Sequence, residues 1–219
     1  MRTVRQAFAL LACLPAIAAA AELPAWQIDP VHTRVVFSVE HAGFAQSLAT
    51  LSGPEGVLRF DPDDWANASV DVRLPLSRLD FGDADWNRTM LGRRWFDAER
   101  HPEIRFTSTS VEPTGPDTAR ITGTLALAGT SHEAVLDVRM NAAKRNPMNF
   151  RRTVGFSATA TLDRRDFGMP AYPNVIGQAV SVRIEVEAVR MDRAEAKADA
   201  EAEQPAAASE DDDAVPQHE

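Results

Sequence analysis

In residues 180–188, Val180, Val182, Ile184, Val186 and Ala188 alternate with Ser181, Arg183, Glu185 and Glu187. A period of two sends these sets to opposite faces of a β-strand, one apolar and one polar. The same period runs through 68–76, where Ala68, Val70, Val72, Leu74 and Leu76 oppose Ser69, Asp71 and Arg73. It returns in 153–162, with Val154, Phe156, Ala158, Ala160 and Leu162 on one side, and in 33–40, where Val35, Phe37 and Val39 align and Val36 interrupts. Further strand signals cover 26–29, 57–61, 104–111, 119–127 and 134–140, and more weakly 44–51. Gly53-Pro54-Glu55-Gly56, Pro113-Thr114-Gly115-Pro116 and Gly129-Thr130-Ser131 read as turns, and 164–174 as a long loop. Pro75 cannot donate to a ladder, so its strand ends at an edge or an exit. Eight or more antiparallel strands, each with one polar face, predict an all-β barrel or sandwich. An eight-stranded barrel either fills with its own side chains or holds one small ligand.

The alternation stops over 80–106, which also contains Trp86 and Trp95. Helical spacing takes over around 83–92. Asp83 is placed to cap the helix, Asp85 sits in its first turn, Gly92 is a natural stop, and Arg93 and Arg94 follow near the negative end of the dipole. Trp86 and Met90, four apart, give the helix an aromatic and apolar face. That face either plugs the barrel core or lines the mouth of a cavity. Small residues at inward-facing positions (Ser108, Ser110, Gly123, Ala158 and Ala160) favour a cavity, unless Phe106 and Phe156 fill the space they leave.

Composition is that of a globular protein, with 44% hydrophobic and 25% charged residues in 219. The formal net charge of −9 is concentrated in 191–219, where Glu210, Asp211, Asp212 and Asp213 add to Asp192, Glu195, Asp199, Glu201, Glu203 and Glu219. The remainder is near neutral and offers no basic field for nucleic acid. Residues 1–21 read as a signal peptide: Arg2 and Arg5 precede an apolar run too short to span a bilayer, followed by an alanine-rich cleavage site. Cys13, the only cysteine, lies within it and loosely fits a lipoprotein box; cleavage after Ala20 or Ala21 leaves a chain without disulfides and without an integral membrane span. Residues 22–190 form one domain. Residues 191–219 are expected to be a disordered, acidic, alanine-rich tail, helical at most transiently over 194–203.

Catalytic patterns are sparse, with no nucleophile elbow, phosphate loop or zinc-binding motif. His32 and His41 are nine apart, which puts them on opposite faces of a regular strand, and no acid is expected at ligand spacing on the same face. Asp29 and His32 would make an acid–base pair, although Asp29-Pro30 also reads as a simple turn. The sequence therefore points away from an enzyme and from a metal centre. A hydrolase using His32 or His41 and an interaction module recruiting a basic partner through the tail are the alternatives to a binding barrel.

Several ordered segments carry a resemblance. Trp26-x-Ile28-Asp29-Pro30-x-His32, Val35-x-Phe37-x-Val39-x-His41, Phe60-Asp61, Trp95-Phe96-Asp97 followed by Pro102-x-Ile104-x-Phe106, Gly123-Thr124-Leu125-x-Leu127-x-Gly129, Gly155-Phe156 and Arg165-Asp166-Phe167-Gly168-Met169 together resemble the YceI-like family of polyisoprenoid-binding proteins over about 26–189. The resemblance implies an extended eight-stranded antiparallel lipocalin-like barrel and a periplasmic or secreted carrier of an isoprenoid or quinone-type lipid. It implies no catalytic residue, no cofactor other than that ligand, and admits a homodimer. The residues expected to line the cavity are Phe37, Val39, Phe44, Phe60, Trp86 and Met90, with Leu91, Trp95, Phe106, Phe156, Phe167 and Met169. Two segments depart from the family pattern: Ala49-Thr50-Leu51 replaces a Gly-Thr-Phe, and Trp86-Asn87-Arg88-Thr89-Met90 replaces a charged Arg-Asp-x-His-Leu. The second departure predicts a mouth more apolar than that of its relatives.

Overall fold

The computed structural model describes residues 22–203. The expected signal segment with Cys13 and the end of the acidic tail lie outside them. Among the described residues, eleven strands form one antiparallel sheet: β1 Ala25–Ile28, β2 Arg34–His41, β3 Ala45–Ser52, β4 Glu55–Asp61, β5 Asp64–Pro75, β6 Leu79–Asp80, β7 Glu103–Gly115, β8 Thr118–Leu127, β9 Thr130–Arg145, β10 Arg152–Asp163 and β11 Ile176–Arg190. The order is β1-β4-β5-β7-β8-β9-β10-β11-β2-β3-β6, and an additional pairing of β1 with β11 closes the ring.

The eleven segments make a closed eight-stranded barrel because the first six pair end to end as three bent strands. β1 and β2 both lie along β11. β4 pairs with β1 and β3 with β2. β5 pairs with β4 and β6 with β3. Each bend has a local cause. Between β1 and β2, Asp29 Oδ1 accepts the N–H groups of Val31 and His32 at 2.8 and 3.1 Å, while Thr33 Oγ1 exchanges hydrogen bonds of 3.2 Å with the Glu187 backbone and so replaces the interrupted ladder. Between β3 and β4, Gly53 takes φ +67, a conformation that glycine adopts without cost, and Pro54 is buried behind it. The turn expected at 53–56 is a bend, and the chain continues in its direction. Between β5 and β6, Leu76–Arg78 make one 3-10 turn that buries Leu76 completely.

At one pole an aromatic cluster closes the barrel. Phe60 meets Trp65 and Phe156 edge-on at 4.9 and 5.1 Å between ring centroids, and Trp26 Nε1 donates to Phe60 O at 2.8 Å. At the other pole Leu51, Leu74, Leu76, Leu79, Trp95, Phe96, Phe167 and Met169 form a second cluster beneath helix α1, Ala84–Leu91. α1 begins and ends where its caps predict: Asp83 accepts from the N–H groups of Asp85 and Trp86, and Gly92 follows its last turn. Residues 193–203 differ from expectation. Arg193–Glu203 forms a helix, α2, because Asp192 Oδ1 accepts the N–H groups of Ala194 and Glu195 while Glu195 reaches back to Asp192 N–H. This reciprocal capping box starts a segment rich in alanine and glutamate, both strong helix formers.

Candidate functional site

Between the two clusters the barrel encloses a cavity of about 710 Å³. Period-two geometry builds its wall: Val35, Phe37 and Val39 of β2, Val70, Val72 and Leu74 of β5, Ala158, Ala160 and Leu162 of β10, and Val180, Val182 and Ile184 of β11 all face it. Their polar neighbours face water. The wall carries no carboxylate, lysine or cysteine among the described residues.

The exposed lining residues mark the mouth, and they sit at the α1 pole. Trp86 and Met90 border it from α1, and the Trp86 ring packs on Phe81 at 5.2 Å. Phe81 in turn meets Phe37 edge-on at 5.8 Å, so an aromatic relay runs from the rim into the barrel. Tyr172 stacks on Trp95 at 6.2 Å and accepts a 2.9 Å hydrogen bond from Arg94. The short β3–β6 ladder, only Thr50 with Asp80 and Leu51 with Leu79, leaves the rest of β3 paired on one edge only, with β2.

Of the twelve residues expected from sequence, Phe37, Val39, Phe60, Trp86, Met90, Trp95, Phe106, Phe156, Phe167 and Met169 border the cavity. Phe44 and Leu91 do not. Phe44 follows the Ala42-Gly43 turn, where both residues have positive φ, and it falls on the outward parity of β3; it is 91% exposed. Leu91 lies five positions after Trp86, on another side of α1, and packs against the second cluster instead. Ser108 and Ser110 are not cavity residues either. A bulge between them shifts the facing parity of β7, Ser110 is exposed, and Ser108 Oγ accepts the Val70 N–H at 2.9 Å. Ala158 and Ala160 do line the cavity, while the space over Gly123 is occupied by the Phe106 ring.

The mouth is more polar than the residues of α1 alone predict. Arg93, Arg94, His41 and Arg164 all border the cavity. The sequence reading gives Arg93-Arg94 only a dipole role, although two adjacent arginines after a helix stop are a legible signal for a charged rim. Arg164 is a buried cation held by three backbone carbonyls: Nε donates to Gly177 O at 2.7 Å, Nη2 to Ile176 O at 2.9 Å, and Nη1 to Met169 O. Burial lowers its pKa. Its neighbour Asp163 is committed to Arg165, whose hydrogen bonds pull that carboxyl down to about 2. Asn87 and Thr89 stabilise the helix rather than provide charge. Asn87 Oδ1 accepts the Phe81 N–H at 2.6 Å, its Nδ2 donates to Asp80 at 3.1 Å, and Thr89 Oγ1 donates to Asp85 O at 2.9 Å.

His32 and His41 are separated by the bend rather than arranged on one strand. His41 reaches the mouth. His32 lies outside the barrel, 2.7 Å from Asp29, with Glu187 close enough that the ligating atoms of all three fall within 4.8 Å. The long-range pairing of β2 with β11 creates this neighbourhood, so sequence spacing could not show it. The hydrogen bond to Asp29, with the charges of Asp29 and Glu187, raises the His32 pKa. The hydrogen-bonded Asp29 and His32 side chains brace the bend.

Comparison with known proteins fits this architecture. A UPF0312 protein of Pseudomonas putida is 28% identical over 191 residues, covering 85% of this chain and 98% of the relative; one of Pseudomonas savastanoi is 29% identical over 159 residues, covering 73% and 82%. The crystal structure of Burkholderia cenocepacia BcnA superposes with a TM-score of 0.66 at 19% identity, over 73% of this chain and 98% of that one. A polyisoprenoid binding domain from Saccharophagus degradans, implicated in plant cell wall breakdown, superposes with a TM-score of 0.59 at 13% identity, over 77% and 99%. The YceI-like domain model matches residues 26–188, and with that match across the whole barrel, the chain belongs to the YceI-like domain family.

Proposed function

We propose that this protein is a periplasmic or secreted carrier that binds a long, apolar isoprenoid lipid, of polyprenyl or isoprenoid-quinone type, inside the barrel and performs no catalysis on it. The observation that carries the reading is the cavity of about 710 Å³ with a wall free of carboxylates. Its size lies within the range of about 300–1,000 Å³ common to small-molecule sites. Each ligand CH₂ transferred from water to such a wall contributes about 0.8 kcal/mol, so an extended prenyl chain needs no charged anchor within the barrel. A polar end group is then best accommodated at the rim, beside Arg93, Arg94 and Tyr172. The family membership and the S. degradans polyisoprenoid binding domain support the same ligand class. Native mass spectrometry of protein purified from its own source tests the reading: a co-purifying prenyl lipid is expected. A barrel that is consistently empty and rejects added prenyl chains would overturn it.

A further inference from the structure

The β9–β10 hairpin projects from the pole opposite the mouth and ends in Lys144-Arg145-Asn146-Pro147-Met148-Asn149-Phe150-Arg151-Arg152. The ladder stops at Arg145 with Arg152, and the turn beyond it is held by its own polar groups. Asn146 N–H donates to Arg151 O at 2.8 Å and Phe150 N–H to Asn146 O at 2.8 Å. Asn146 Oδ1 accepts the Met148 N–H at 2.9 Å, Asn149 Oδ1 accepts the Arg151 N–H at 3.0 Å, and Arg145 donates to Phe150 O at 3.0 Å. This scaffold places Met148 and Phe150 outward, 88% and 70% exposed. Phe150 is held at φ +59, an unusual backbone state for a bulky side chain. Lys144, Arg145, Arg151 and Arg152 are all exposed around this pair, 141–152 contains no acid, and none of the four pairs with a carboxylate among the described residues.

We propose that this hairpin tip docks the protein on an anionic lipid bilayer, with Met148 and Phe150 entering the interfacial layer and the four basic side chains meeting the headgroup phosphates. The two halves of the motif call for one receiving medium. Aromatic and apolar side chains partition into the headgroup–acyl boundary, and each basic residue near an anionic surface strengthens attachment about fivefold. The chain's own carboxylates are available at this pole, since Glu195, Asp199, Glu201 and Glu203 of α2 follow β11 there. They, or an acidic protein, would satisfy the charges but leave Met148 and Phe150 in water. A bilayer accommodates both. Docking at this pole turns the mouth toward the aqueous phase, so attachment and loading use opposite ends of the barrel. The inference rests on the hairpin alone and stands whatever the cavity binds.

Sedimentation with vesicles of phosphatidylcholine alone, and of phosphatidylcholine mixed with phosphatidylglycerol, tests it. Binding is expected to the mixed vesicles only. Substituting Lys144→Gln, Arg151→Gln and Arg152→Gln together should weaken it about a hundredfold, with Arg145 kept because it holds the turn. Met148→Ser with Phe150→Ser should weaken it about tenfold or more. Phe150→Trp should add an emission that brominated lipid quenches. Equal binding to both vesicle types, no binding to either, or an added emission that brominated lipid leaves unquenched would overturn the proposal. So would mixed-vesicle binding that the Met148/Phe150 substitutions leave unchanged, because that identifies attachment by charge alone, as to an acidic protein.

Discussion

The Phe106 ring lies across Gly123 so closely that a Cβ built at Gly123 would stand 2.5 Å from Phe106 Cζ and 2.6 Å from the Thr107 carbonyl oxygen. The ring turns a missing side chain into a packing surface, and one wall of the cavity depends on that arrangement. Gly123→Ala forces either the ring into the cavity or β7 away from β8. Overpacking of this kind costs about 1–3 kcal/mol, and chemical denaturation of the variant against the parent should show a loss of that size.

Ala160 faces the cavity from β10, where a larger side chain has room without disturbing the ladder. Ala160→Phe should leave the circular dichroism spectrum unchanged while displacing several ligand methylenes. At about 0.8 kcal/mol for each methylene lost, retention of an isoprenoid chain by native mass spectrometry should fall about tenfold or more. Unchanged retention would place the ligand outside the barrel.

Arg164 donates to three backbone carbonyls at the mouth, that of Met169 in the loop and those of Ile176 and Gly177 at the start of β11. Arg164→Met removes a desolvated charge but leaves those acceptors without donors. The second effect should dominate, costing about 2–4 kcal/mol, with faster amide exchange in 164–176. Arg164→Lys should not restore stability, because a single ammonium lacks the planar fork that spans the three carbonyls.

Asp71 sits on the outer face between β5 and β7, where Arg105 donates to it at 2.7 and 3.0 Å and Thr107 at 2.9 Å. Burial pushes its pKa up, but these hydrogen bonds outweigh burial, and the carboxyl stays below its ordinary value. A depressed folded-state pKa contributes stability above the unfolded value, near 3.9, and that stability is lost as pH falls through the folded pKa. Thermal melts from pH 6 downward should therefore show an acid loss below about pH 4 that is smaller in Asp71→Asn. The pair is partly exposed, so the contribution is about 1 kcal/mol or less.

His32 titrates in the opposite sense. Its pKa is raised by Asp29, so its contribution is complete below the unfolded value and disappears as pH rises through the folded one. An NMR titration should find the His32 midpoint above 6.5, and Asp29→Asn should lower it.

The strands and their inward faces were legible because a period of two is a local property. Val35, Phe37 and Val39, or Val180, Val182 and Ile184, needed only their neighbours in sequence. The capped helix at 84–91 was legible for the same reason. What escaped depended on partners distant in the chain or on single residues that change parity. Gly53-Pro54 reads only as a turn, and it takes the pairing of β3 with β2 and β4 with β1 to show that the turn is a bend within one strand. Ser108 and Ser110 change roles because one bulge intervenes. Hydrophobicity alone puts Phe44 and Leu91 in the cavity, and it does not say which side of a strand or helix a residue occupies. Arg164 gave no signal, since its three acceptors lie up to 13 residues beyond it, one in a loop without periodicity and two at the start of β11.

The ring of strands is closed by Trp26, Gln27 and Ile28 pairing with Arg190, Val189 and Ala188. The first and last strands of the domain therefore meet side by side, at the pole away from the mouth. A tether, a purification handle or a second domain can be fused before Ala25 or after Arg190 and will hang from the base of the vessel. Such additions change what the barrel is attached to without narrowing its entrance, which leaves cargo and address free to diverge independently.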